Sequence, residues 1–169
     1  LHIGTFAEGS FAPDELVKLS VMKERRMLNA RLHSAGHLID LAIQKLDLNL
    51  KPAKGYHFPD SPYVEYEGKL ESIDKEQLAG AIQAEVQRLI ALNLPITAIH
   101  MDRGACQSLS VELPSYLDRS KPIRIVSIGD NPGCPCGGTH VKTLHDLGHL
   151  EISKIRSKAD KVKVSYLVR

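Results

Sequence analysis

The stretch that decides the reading is Met27-Leu-Asn-Ala-Arg-Leu-His-Ser-Ala-Gly-His-Leu-Ile-Asp-Leu-Ala-Ile43. Its apolar residues Met27, Leu28, Leu32, Ala35, Leu38, Ile39, Ala42 and Ile43 recur at helical spacing, which predicts a helix from about Met22 to Leu46. Residues four apart share a helix face, so His33 and His37 point the same way. Gly36, between them, costs such a helix about 1 kcal/mol relative to Ala. A glycine kept there suggests close backbone packing or access for a ligand.

A second four-residue step lies a hundred residues on, in Cys136-Gly-Gly-Thr-His140, within a loop rich in Pro and Gly. Singly, each motif is weak, because HxxxH and CxxxH both arise by chance. Together they supply the four side chains of a tetrahedral site, and the mixture of imidazole and thiolate suits zinc. One Zn2+ per chain is expected, on His33, His37, Cys136 and His140. Ser34 follows His33 where a zincin metalloprotease carries its general-base Glu, which argues against that class but not against zinc. Cys134 is a rival ligand, though the C-x3-H spacing favours Cys136. Cys106 reads as a small buried apolar residue.

The other features bound the class. A chain of 169 residues, 43% hydrophobic and 25% charged, has the composition of an ordinary soluble globular protein, with length for one substantial core. It has no Trp and three Phe, so aliphatic side chains must fill that core. Three cysteines with a Cys-Pro-Cys step do not resemble a secreted disulfide framework, and a reduced, cytoplasmic setting is expected. No apolar run reaches the roughly 18 residues of a membrane span. The opening Leu-His-Ile-Gly resembles neither an initiator nor a signal peptide. Residues 1–22 are therefore expected to be a short N-terminal segment, a remnant of an upstream β module, before a domain over 23–169.

Along the chain, the first twenty residues read as turns with one or two short strands. Residues 50–62, with three prolines, read as loop or irregular strand, and Tyr63–Glu67 as a half-buried strand. Asp74 and Gln77 form a capping box that opens a helix to about Leu92. A strand at Ile96–His100, a short helix near Gly104–Leu109 and a strand at Ile123–Ile128 follow. Gly148–Ile155 and Val162–Val168 read as a terminal hairpin. The order predicts an α+β fold: two layers, a mainly antiparallel sheet with packed helices, and the metal site between a helix and a loop.

Arg31-Leu-His-Ser-Ala-Gly-His-Leu38 together with Cys136-Gly-Gly-Thr-His-Val141 resembles the editing domain of alanyl-tRNA synthetase. It is closer still to the freestanding AlaX-type trans-editing proteins, and the second additional domain of threonyl-tRNA synthetase is related. The resemblance runs from about Glu24 to Arg169 and includes Lys54-Gly-Tyr-His-Phe58. Between the histidines stands Ser-Ala-Gly, where the family more often has a threonine.

The resemblance implies an aminoacyl-tRNA deacylase, a carboxylic ester hydrolase that removes serine, and also glycine, from mischarged tRNA(Ala). It places the zinc ligands on the same four residues, with catalysis through His33, His37 and Cys136. By the same resemblance Tyr56 and His57 line the amino-acid pocket. Ser34 and Thr139 are candidates to bond a serine hydroxyl or a zinc ligand. Gly137 and Gly138 would allow backbone approach to the metal and the CCA end. With four protein ligands, zinc would gain a fifth, exchange one for water, or position the substrate, and the last is favoured. Asp130 is the nearest acidic candidate before the Cys loop.

A formal charge of +2 does not by itself establish a nucleic-acid partner. The clustering says more: Lys154, Arg156, Lys158, Lys161 and Lys163 crowd the terminal hairpin and suit a phosphate backbone. Smaller clusters are Lys23, Arg25, Arg26 and Arg31, and Arg119, Lys121 and Arg124. The alternative function is a zinc-stabilised RNA-binding domain without hydrolysis.

Overall fold

The computed structural model describes residues 3–70, 74–108, 113, 118 and 120–169. Helix α1 spans Lys23–Lys45, within one residue of the range read from its apolar stripe, and buries Leu32, Ala35, Leu38, Ile39, Ala42 and Ile43. Strands β1 (Lys51–Tyr56) and β2 (Tyr63–Glu67) follow as an antiparallel pair. Helix α2 (Lys75–Ala91) starts at Asp74, whose carboxylate accepts from the amides of Glu76 and Gln77. Such a cap is worth about 1 kcal/mol. Then come β3 (Ile96–Met101), α3 (Arg103–Ser108), β4 (Ile123–Ile128), the two-residue β5 (Cys134–Pro135), β6 (Leu150–Lys158) and β7 (Lys161–Val168).

The fold is α+β and its sheets are antiparallel, as expected, but the strands divide into two sheets rather than one. One runs in the order β1-β2-β7-β6 and the other β3-β4-β5. Helices α1 and α2 pack on the inner face of the four-stranded sheet. There Leu38, Ile39, Ile82, Val86 and Leu89 meet Val64, Tyr66, Val162, Val164 and Tyr166. A smaller core of Cys106, Ile123 and Ile125 lies under the three-stranded sheet, which bears out the reading of Cys106.

The four-stranded sheet has two unlike faces because side chains alternate along a strand. Across β6 and β7, Ile155 pairs with Val164 inside, while Arg156 pairs with Lys163 and Lys158 with Lys161 outside. A register shift between Ile152 and Lys154 sets Lys154 opposite Ser165. All five basic residues of the hairpin therefore lie on one outer face.

One expectation about the loops is corrected. Residues 3–20 contain no strand among the described residues, and large side chains there, such as Ile3, Phe6, Phe11 and Leu16, are exposed. The segment has apolar residues but no sustained alternation to bury them on one side. The proline-rich stretch after residue 50 is, as read, an irregular strand and a loop: β1 has a register shift between Pro52 and Lys54 and lies at the sheet edge, where Pro52 can be tolerated. The short helix ends at Ser108, and Leu109 lies outside the described residues.

Candidate metal centre

The two motifs meet. One ligand atom from each of His33, His37, Cys136 and His140 lies within 4.8 Å of the other three. Cys136 Sγ is 3.4 Å from His33 Nε2 and 3.4 Å from His140 Nε2. A four-coordinate ion with bonds of about 2.0–2.3 Å has donor–donor edges of roughly 3.3–3.6 Å, so this set is gathered tightly enough to hold one. Helix α1 supplies two donors from one face. The loop after β5 supplies the other two.

The nitrogen of each imidazole that faces away from the cluster is also engaged. His140 Nδ1 lies 3.1 Å from Ser34 Oγ, which accepts from the Val141 amide as well. His37 Nδ1 lies 3.3 Å from Cys134 Sγ. His33 hydrogen-bonds the backbone at Thr139. Partners of this kind hold the tautomer and ring orientation of a metal-binding histidine. Burial is the first cause that holds His33 below its ordinary pKa, pushes His37 down to about 3 and His140 to about 4. At neutral pH all three are uncharged and can donate a lone pair.

The Cys loop is pinned from outside. Arg124 Nη1 donates to the carbonyls of Cys136 (2.6 Å) and Gly138 (3.0 Å). The Gly138 amide donates to Cys136 Sγ at 3.4 Å, which helps fix the sulfur's position. A Cβ on Gly138 would stand 2.1 Å from His33 Cε1, so only glycine fits, whereas a Cβ on Gly137 would meet open space.

His57 joins the cluster without belonging to the four donors. Its ring stacks on His33 with centroids 5.0 Å apart. A Cβ on Gly36 or on Gly55 would come within 2.3 Å of it, so two glycines make the slot that holds the ring. That is the packing reason for a glycine in the middle of α1. His57 Nδ1 lies 2.7 Å from the Tyr166 hydroxyl, which in turn donates to the Leu32 carbonyl.

Of the remaining candidates only some touch this centre. Ser34 is fully buried and its hydroxyl bridges the two motifs, so it holds His140. Cys134 touches the outer nitrogen of His37, and Cys136 is the cluster's sulfur, as the spacing favoured. Tyr56 packs on Phe58 and Tyr63, and its hydroxyl donates to Asp60. Asp130 sits exposed in the turn after β4. Arg31, proposed for RNA, instead donates to the carbonyls of Leu147 and Arg169, tying α1 to the chain's last strand. Arg124 is likewise committed to the Cys loop, and Lys121 pairs with Asp118 at 3.4 Å. Arg119 lies outside the described residues.

Sequence reading missed Arg124 as a loop clamp, because a cation before a strand carries no sign of which carbonyls it will reach. It also missed Tyr166, whose signal was only a tyrosine among aliphatic inward positions.

Comparison with known proteins points the same way. Residues 123–163 match the Threonyl and Alanyl tRNA synthetase second additional domain, a span that takes in Cys136 and His140. Across nearly its whole length the chain is also similar to the alanyl-tRNA editing protein AlaX-L of Pyrococcus horikoshii, 29% identical over 163 residues. It is 32% identical over 167 residues to the alanine–tRNA ligase of Anaeromyxobacter sp. (strain Fw109-5). It is 29% identical over 162 residues to alanine–tRNA ligase 1 of Lachnoclostridium phytofermentans. These alignments cover 94%, 96% and 94% of this chain but 38%, 18% and 18% of the relatives, so it corresponds to one part of each. The likeness to AlaX-type editing proteins bears out the resemblance carried by the two motifs. Among the described residues, no helix is long and apolar enough to cross a membrane.

Proposed function

We propose that the chain is a zinc-dependent editing hydrolase that deacylates tRNA(Ala) mischarged with serine, and also with glycine. The observation that carries this reading is the gathering of His33, His37, Cys136 and His140 into one donor cluster within a sequence similar to alanyl-tRNA editing proteins. One Zn2+ per chain is the ion this donor set suits, with three neutral imidazoles and a thiolate. When bound, zinc supplies a Lewis acid beside the scissile carbonyl and fixes the acyl group's position.

The protein's own side chains do the rest. Ser34, Cys134 and the Thr139 backbone hold the imidazoles in place, and Arg124 ties the Cys loop to β4. An aminoacyl ester is already activated, so orientation and electrostatic stabilisation of the oxyanion suffice for useful rates. His57 stacks on His33 beside the centre, Tyr56 ends β1 just before it, and the exposed Gly137 leaves the loop's backbone open to an approaching CCA end. The outer face of the four-stranded sheet, with Lys154, Arg156, Lys158, Lys161 and Lys163, is the surface offered to tRNA phosphates. Residues 23–169 form the editing domain in this reading, and 1–22 an N-terminal segment.

One observation favours a second reading. Four protein donors complete a tetrahedral shell, as in purely structural zinc sites, so the same cluster would serve a domain that binds RNA without hydrolysing it. Release of amino acid from seryl-tRNA(Ala) and alanyl-tRNA(Ala), by wild type and Cys136→Ala, separates the two. Editing predicts serine-selective release that vanishes with Cys136. No release from either ester by the zinc-loaded chain would leave the structural reading.

A further inference from the structure

Asp40 stands one helical turn beyond His37, on the same face of α1. Its neighbours Leu38, Ile39, Leu41, Ala42 and Ile43 are all buried, and it interrupts an otherwise aliphatic run. A carboxylate there is expensive unless something pairs with it. The protein supplies little. Asp40 Oδ1 accepts from the Tyr66 hydroxyl at 2.5 Å, and among the described residues no Lys, Arg or His forms an ion pair with it. Although the residue as a whole is only half-buried, its carboxyl is enclosed enough that burial pushes its pKa up to about 6. A positive group beside it would favour the ionised form.

This carboxyl lines a cavity of about 700 Å³, bounded by His37, Gln44, Tyr66, Asn131 and Cys134 among others. The volume is in the range of small-molecule sites. His37 belongs both to this wall and to the donor cluster, so the cavity opens directly beside the metal centre. It therefore offers two unlike recognition elements a helical turn apart. One is His37, the single member of the donor cluster on this wall, beside which a metal-bound carbonyl would lie. The other is a carboxylate in no ion pair among the described residues, on a wall that also holds Asp47 and Lys51, and it suits a positive group. An aminoacyl ester carries a carbonyl and an ammonium on adjacent atoms.

We propose that Asp40 is the counter-ion for the α-ammonium of the bound aminoacyl group, so that the site accepts esters with a free amine and excludes those whose amine is acylated or replaced. The assignment rests on the editing reading and deepens it: it makes Asp40 the residue that orients the acyl group and restricts the substrate to unblocked aminoacyl-tRNA. A peptidyl or formylated chain would leave the carboxylate unpaired in the cavity, and a site built round a buried polar partner rejects strongly the ligand that lacks it.

The test is equilibrium binding of non-hydrolysable 3′-amide analogues of seryl-adenosine to the zinc-loaded chain, by calorimetry. One analogue keeps the amine, one is N-acetylated, and one has a hydroxyl in its place. The hydroxyl analogue matches the first in size and isolates the charge. Wild type should bind the free amine at least tenfold more tightly than either of the others. Asp40→Asn, which can still accept from Tyr66, should bring the amine and hydroxyl analogues within about twofold by weakening the amine alone. Tyr66→Phe keeps the carboxylate and should keep the preference. Equal binding of all three by wild type, no binding of any, or an undiminished preference in Asp40→Asn overturns the assignment. Equal binding by wild type overturns the assignment without any variant, and Asp47→Asn, at the other carboxylate of the cavity wall, should leave the preference intact; its loss there would overturn the assignment too. If the analogues are discriminated but seryl-tRNA(Ala) is not cleaved, the editing reading fails and the ammonium site stands. If the ester is cleaved but the analogues bind alike, the reverse holds.

Discussion

His33–His37 and Cys136–His140 have the same four-residue step, yet they are built by different means. The first lies in the middle of α1, where the helix backbone alone puts both side chains on one face, and contacts with Cys134, Thr139 and His57 only orient the rings. The second lies in a loop after β5 and is held by contacts from elsewhere. Arg124 grips two of its carbonyls, Ser34 bridges its His140 and Val141, and Gly138 gives way to His33. A helix makes a metal half-site out of local geometry. A loop needs the rest of the protein.

The largest effect should come from breaking either half outright. His37→Ala and Cys136→Ala should each lose the zinc, from about one per chain to near none by elemental analysis, together with all deacylation. Zinc retained at full occupancy in either variant would remove that residue from the ligand set.

Loosening the supports should then separate the halves. Arg124→Met and Ser34→Ala leave all four ligands in place, and should each weaken zinc binding about 10–100-fold, the usual cost of losing an outer partner. Competition with a chromophoric chelator measures this. Unchanged affinity would mean that the loop, like the helix, holds its own shape.

Acid should act on both halves together. His33, His37, His57 and His140 all have folded-state pKa values below 6.5, chiefly from burial. The unfolded chain therefore binds more protons between the depressed values, near 3–4 for His37, His57 and His140, and 6.5. In that window stability rises with pH, is fully present above 6.5, and is lost as pH falls. Asp40, raised from 3.8 to about 6, opposes this, but one group stands against four. The metal-free chain should lose on the order of a few kcal/mol between pH 7 and pH 4. Denaturant midpoints that do not move over this range would show that the imidazoles are not buried neutral.

The smallest change is expected far from the metal. Replacing Lys158, Lys161 and Lys163 together with Gln should weaken tRNA binding and flatten its salt dependence, by up to about 0.9 in the log–log slope for each phosphate no longer neutralised. Zinc affinity should not change. An unaltered slope would make this face a solvated surface and move the RNA-binding surface elsewhere.

Much of this was open to reading in the residues. The stripe from Met27 to Ile43 placed α1 closely, because burial against a core imposes a 3.6-residue period. The strands at Tyr63–Glu67 and Ile123–Ile128 matched for the parallel reason. The N-terminal segment misled, since apolar side chains such as Phe6 and Phe11 suggested strands that the described residues do not contain. Basic residues misled in another way. Arg31 and Arg124 counted as candidate phosphate ligands, but both reach backbone carbonyls. The hairpin cations could be grouped in advance. That all five share one face depended on the register, including the shift between Ile152 and Lys154.

By itself the sequence determined the helix, the residue types able to bind a metal, and the pairing of two motifs that each lack half a coordination shell. Those follow from local periodicity and side-chain chemistry. Only the tertiary structure decided that Cys136 rather than Cys134 faces the cluster, that Ser34 serves His140, and that Asp40 opens into a cavity shared with His37. These depend on which atoms from distant parts of the chain come within a few ångströms, and spacing along the chain carries no record of that.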